Sequence, residues 1–267
     1  MYAIARVLQV VPTHVPALAV VALHVICPLV FAVVHGAKAY GWRGILVFIA
    51  ICFFIGNAFE NLSLLTGFPF GHYYFTNVMG PKLFHVPVLL GLAYIGMGYL
   101  SWTLSSVLAD GLPKRIFLVP VIAAFVMVAW DLSQEPVWAT IVRAWIWRDG
   151  GPYFGVPLSN FAGWFLTVYI IYQLFALYLR RGSDFCVALR PTISRLPIVF
   201  YAVSSLGNVL LLLGQQRTVM DATGTVWRVR DITATCALVS IFTMGSFAVL
   251  AWSRTSTRTA TSLISGK

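Results

Sequence analysis

Glu60 follows fifteen residues, Ile45 to Phe59, that are almost unbroken apolar sequence. Asp131 closes a second such run, which starts at Ile116, and Glu135 stands four residues beyond it. A carboxylate at the centre of a membrane helix costs at least about 2.5 kcal/mol to insert, less near the interface. Ionisable residues at such depth usually face a bundle interior and serve a function. At helical spacing Asn57, Glu60 and Asn61 share one face, at i, i+3 and i+4, and Met127, Asp131, Gln134 and Glu135 share another. A polar helix end capped by its neighbours would explain Glu135, beside Pro136, as well as a functional role does. It explains Glu60 and Asp131 less well, because they lie deeper and adjoin Phe59 and Trp130.

A carboxyl group packed among apolar rings can keep its proton and act as a general acid. Aromatic faces stabilise a passing cation. A second carboxylate can orient and deprotonate water. Together these groups suit protonation of an electron-rich alkene and capture of the tertiary carbocation by water. The substrate would be a lipid-soluble isoprenoid. Asp131 is expected as the acid and Glu60 as the group that holds water, hydrogen-bonded by Asn57 and Asn61, with Glu135 as the next candidate. Tyr73, Tyr74, Tyr153 and Asn160 are further polar partners, and Phe68, Phe70, Trp130, Phe154 and Trp164 the expected apolar walls.

Other chemistries lack their residues. There are no paired histidine boxes for a di-iron centre, and His24 and His35, on one face of the first span, read as packing. His72 and His85 could orient a group in the loop after the second span. Lys38, Lys82, Lys114 and Lys267 all avoid mid-span positions, which excludes a retinal Schiff base in the last span. No phosphate loop, dinucleotide fingerprint or nucleophile elbow occurs. Neither a cofactor nor a metal is expected.

The elements that must position these groups follow from composition. The chain has 267 residues, 60% hydrophobic and only 10% charged, with a mean hydropathy of +0.86. A soluble domain averages about 25% charged residues. Inside a bilayer the backbone must satisfy itself, so only helices or a closed barrel can span, and long continuous apolar runs exclude the barrel. The reading is an all-α, polytopic membrane helix bundle of about seven transmembrane helices. These are roughly Pro16–Ala37, Gly44–Leu65, Val86–Ala109, Ile116–Ser133, Phe161–Leu179, Leu196–Leu213 and Ile232–Trp252. One integral membrane domain, 1–252, precedes a Ser/Thr-rich tail, 253–267, expected to be disordered.

The net charge of +10 belongs to inter-span loops rather than to a nucleic-acid surface. Loops after odd-numbered spans carry eleven Lys and Arg and the opposite side carries seven. By the positive-inside rule this favours a multi-pass protein of the cell membrane with its N-terminus outside and its C-terminus cytoplasmic. Loops after spans two, four and six must share a face. With the helix ends that feed them they hold Glu60, Asp131, Glu135, Asp149, Asp221 and Asp231, leaving only Asp110 and Asp184 opposite. Two long aromatic loops on that face, 67–87 and 137–164, would cap a cavity between the helix ends. Some of their rings belong to an interfacial belt. Four scattered cysteines, with no C-x-x-C pair, read as small hydrophobes.

Five stretches, "ENLSLLTGFPFGHYYFT", "GPKLFHVP", "MGYLSW", "WDLSQEP" and "GGPYFGVPLSNFAGWFLT", resemble the membrane carotenoid hydratases of the bisanhydrobacterioruberin hydratase and γ-carotene 1′-hydroxylase type. The resemblance runs from about Asn57 to Arg181, nearly half the chain; the last two spans add little to it. It implies hydration of a carotenoid ψ end group to a tertiary alcohol at C-1, without a redox cofactor. The expected partners are a carotenoid or isoprenoid substrate, membrane lipid and other carotenoid biosynthesis enzymes. Where Asp-Pro is commoner in that pattern this chain has Glu135-Pro136, which keeps a carboxylate and lengthens its arm.

Two rival readings remain at this stage. "DLSQE" has the D-x-x-x-E spacing that can hold magnesium against a diphosphate, as in an intramembrane prenyltransferase, but span two supplies only Glu60 as a second acidic site. A carotenoid-binding or transport protein would use the same rings without chemistry.

Overall fold

Apolar stretches of bilayer length leave the backbone no hydrogen-bond partner but itself, and the chain forms helices at each of them. The computed structural model describes residues 4–5, 8, 15–181, 191–213 and 217–265. Its helices are α1 (Ala17–Thr66), α2 (Val88–Leu108), α3 (Arg115–Leu132), α4 (Leu158–Arg181), α5 (Pro191–Val209), α6 (Val229–Val239) and α7 (Ser246–Ser265). A π-helical turn, Val137–Val142, extends α3 beyond a short turn, and another, Ser240–Gly245, joins α6 to α7. Among the described residues six helices are long and apolar enough to cross a membrane.

The first of these accounts for two of the expected spans. Its 49 residues from Leu18 to Thr66 would reach about 74 Å if straight, against a hydrocarbon core of about 30 Å. Gly41, at φ 69° and ψ 169°, breaks it. A Cβ on Gly36 would lie 2.5 Å from Ile45 Cδ1, although nine residues of straight helix span about 13.5 Å. The two limbs, 17–40 and 42–66, therefore fold back on each other. Helix α2 touches both. Its Tyr99 meets His35 of the first limb at 2.6 Å and stacks edge-on against Phe48 of the second. Lower down, Gly96 lies against Pro28 and Leu29, and Tyr94 reaches Glu60. Small residues allow such backbone approach between membrane helices. With this reversal, all seven expected stretches lie on helical limbs.

The loops after limb two, after α3 and after α5 meet at one end of the bundle. Strands β1 (Tyr73–Phe75) and β4 (Trp145–Trp147) pair antiparallel, with Tyr73 opposite Trp147 and Phe75 opposite Trp145. Strands β2 (Lys82–Leu83) and β3 (Val86–Pro87) form a small hairpin. Strands β5 (Thr218–Met220) and β6 (Val226–Arg228) form a third, which lies on the α3–α4 loop through Asp221 at Gly155, Thr223 at Gly150 and Trp227 against Phe154. The capping loops thus hold short strands where irregular chain was expected. At the opposite end Asp110 pairs with Arg115 at 3.1 Å; Asp184 lies outside the described residues. Helix α7 continues to Ser265, through most of the stretch expected as a disordered tail.

Candidate active site

Glu60, Asp131 and Glu135 are 4, 3 and 2% exposed, so none is a solvated helix end. The second limb of α1 carries Glu60 inward toward β1 and α2. Tyr73 donates its hydroxyl to Glu60 Oε2, and Tyr94 donates to Oε1 at 2.7 Å. Strand alternation explains Tyr73: its ring turns into the bundle, while Tyr74 is 45% exposed beneath the guanidinium of Arg148. Burial, and then the charge of Glu60, push the Tyr73 phenol well above its ordinary value, so it stays a proton-bearing donor.

Glu135 lies just past the end of α3. Its Oε1 accepts the indole N–H of Trp145 at 2.6 Å and of Trp147 at 2.9 Å. Two residues apart on β4, both indoles reach the same side of the strand. Asp131, one turn earlier, accepts at Oδ2 from Asn160 Nδ2 at 3.0 Å, across from the start of α4.

Two adjoining cavities open onto these groups. One, small, is bounded by Glu60, Glu135, Tyr73 and Asn160 with Phe70, Phe75 and Trp147. The other, slightly larger, holds Asp131, His24 and Gln134 among Val21, Val25, Met79, Trp130 and Trp138. Leu90, Trp145 and Trp164 wall both. The Trp164 ring stacks on Tyr94 at 4.4 Å, which ties this partition to the Glu60 site. Both cavities are walled mainly by apolar surface, and the first also brings two carboxylates, a phenol and an amide together. Among the described residues no group of three His, Cys, Asp or Glu is close enough to hold a metal ion.

A family model described as carotenoid biosynthesis protein matches residues 17–229. The chain belongs to that family. The match covers both limbs of α1, every capping loop and all three carboxylates. Comparison with curated proteins and with solved structures gave no match.

Within this family member the expected site residues divide. Glu60, Glu135, Phe70, Tyr73 and Asn160 border the first cavity, Asp131 and Trp130 the second, and Trp164 both. The amides of Asn57 and Asn61 do not hold Glu60. Asn57 Nδ2 donates to Phe53 O at 2.9 Å and Asn61 Nδ2 to Asn57 O at 2.8 Å, each back onto its own helix. At i and i−4 a carbonyl is always within reach of an asparagine, and the tyrosines take the carboxylate instead. Phe68 is exposed. Phe154 packs on Trp227, and Tyr153 donates to Leu132 O at 2.9 Å. His72 gives its carbonyl to Arg148 N, a contact that ties the two caps together, and His85 is exposed.

Sequence reasoning passed over Tyr94, took Trp145 and Trp147 as cap rings without a carboxylate partner, and read His24 as packing. A signal existed for each: the one hydroxyl between Val88 and Gly98, a W-x-W alternation, and an imidazole inside the first span. None of these says which carboxylate it meets.

Proposed function

We propose that the protein adds water across the C-1,2 double bond of an acyclic carotenoid ψ end group, giving a tertiary alcohol without a redox cofactor. Membership of a carotenoid biosynthesis family supports the substrate class. The observation that carries the reaction is the pairing of cavities: Asp131 borders one, Glu60 and Glu135 border the other, and aromatic walls are shared between them.

In this reading the isopropylidene end enters the Asp131 cavity. Asp131 gives its proton to C-2, and the electron pair of the double bond forms the new C–H bond. The C-1 cation is tertiary and faces the indoles of Trp130, Trp138 and Trp164, whose π-faces stabilise it. A water held beside Glu60 and Glu135 attacks C-1. Its surplus proton passes to Glu60 or Glu135 and returns to Asp131 through solvent, so alkene and water sum to alcohol with nothing left over. Asn160 faces one cavity and holds Asp131 in the other, which fixes the acid relative to the water. The excess of basic residues on the opposite face favours a cap face outside the cytoplasm.

The test is expression in a host that accumulates lycopene, with product mass and isotope read together. One water is gained per hydrated end, and the oxygen comes from labelled water under anaerobic conditions. Incorporation from molecular oxygen would point to an oxygenase instead. Asp131→Asn and Glu60→Gln keep shape and remove proton transfer, so each should insert and fold yet lose about 10²–10⁴-fold in rate. Near-full conversion by either would make that residue structural.

A further inference from the structure

A hydratase consumes one water per turnover, and neither the bilayer nor the apolar substrate can supply it. The structure offers a candidate source. A third, narrow cleft lies beneath the β5–β6 hairpin. Its mouth is formed by Arg143, Met220 and Ala222, all exposed, and its inner wall by the buried Ala139, Thr140, Gly155 and Trp147. Asp221 borders it as well. It therefore runs from the surface of the cap inward and ends against an indole.

That indole also walls the cavity of Glu60 and Glu135, and its N–H is bonded to Glu135. One ring thus separates surface water from the reacting centre while touching the carboxylate that the water must reach. Gly155 keeps the cleft open, since a Cβ there would lie 2.9 Å from Asp221 Cβ and 3.4 Å from Thr140 Oγ1. Arg143, Thr140 and Asp221 give this passage polar walls, as water requires, whereas the Asp131 cavity is walled mostly by hydrocarbon.

We propose that this cleft is the water inlet of the site and that Trp147 is its inner gate, so that water and carotenoid reach the centre by separate routes. The inference rests on the hydration reading, but part of its test does not. Hydroxyl radicals generated from water by a brief X-ray pulse oxidise side chains beside accessible water. In the full-length protein in lipid nanodiscs, Trp147 should be oxidised at least several-fold faster than Trp102, which is fully buried in the other half of the bundle. Ala222→Phe, at the exposed mouth, should slow Trp147 oxidation several-fold and lower kcat for hydration by a similar factor, with KM for the carotenoid unchanged. Ala139→Leu, on the inner wall, should do the same and serves if the first variant folds poorly. Equal oxidation of Trp147 and Trp102, or no response to either variant, overturns the inlet. If Trp147 responds as stated but no variant nor the parent yields a water-mass product, the inlet stands and the hydration reading fails.

Discussion

At the scale of single residues, Glu60 is held by phenols and not by the amides beside it in sequence. Removing one hydrogen bond to a charged group costs about 1.5–3 kcal/mol, roughly 10- to 150-fold in rate if it is needed in the transition state. Tyr94→Phe and Tyr73→Phe should each lower hydration within that range. Asn57→Ala and Asn61→Ala should stay close to the parent, because those side chains return to backbone carbonyls one turn away. Initial rates of the four variants at matched expression decide between the two arrangements. Equal loss from the asparagine variants would restore the amides as partners of Glu60.

At the scale of elements, the caps are seated by close contacts, and those contacts are exposed to test. Gly163 of α4 lies under the first capping loop, where a Cβ would stand 2.6 Å from Phe70 Cδ1 and 2.9 Å from Pro69 O. Overpacking of this kind costs about 1–3 kcal/mol. Gly163→Ala should insert normally, melt at lower temperature and lose activity as Phe70 is pushed off the cavity it lines. The β5–β6 hairpin offers a pH test. Partial burial works against ionised Asp221, yet hydrogen bonds from Thr223, Trp227 and Thr225 hold its carboxyl below the ordinary value. A group lowered in the folded state contributes stability that is present above its unfolded value and lost as pH falls through the folded one. Amide protection over 217–228, corrected for the intrinsic exchange rate, should therefore fall as the pH drops below the ordinary carboxylate range. Asp221→Asn should abolish that dependence; a variant with the parent's pH profile would assign the effect elsewhere.

At the scale of the whole molecule, the arrangement puts the three buried carboxylates and the caps at one end of the bundle. Thiols introduced at Asn77 and Asp149 should label from the same side of sealed vesicles, and one at Leu112, between α2 and α3, from the other. Labelling of Asn77→Cys and Asp149→Cys from opposite sides would contradict the pairing of β1 with β4. If the basic excess sets orientation, the Asn77 side is the extracytoplasmic one.

Much of this was legible in the residues themselves. Apolar run length alone determines a helical membrane bundle, since the bilayer leaves the backbone no other partner. Parity of the spans places the three polar loops together, and the depth of Glu60 and Asp131 marks them as groups that need a buried partner. The partners were decided only by tertiary structure. Periodicity places Asn57 and Asn61 beside Glu60 on one helical face, but a side chain bonds whatever donor or acceptor the packed fold brings nearest. For the asparagines that is their own helix; for Glu60 it is Tyr94, 34 residues on, and Tyr73 from a strand. The same holds for Glu135, whose indole donors converge because β4 pairs with β1, and for the separation of Asp131 into its own cavity by Leu90, Trp145 and Trp164. Local pattern fixes which face a residue occupies, whereas contacts between elements far apart in the chain depend on how those faces dock.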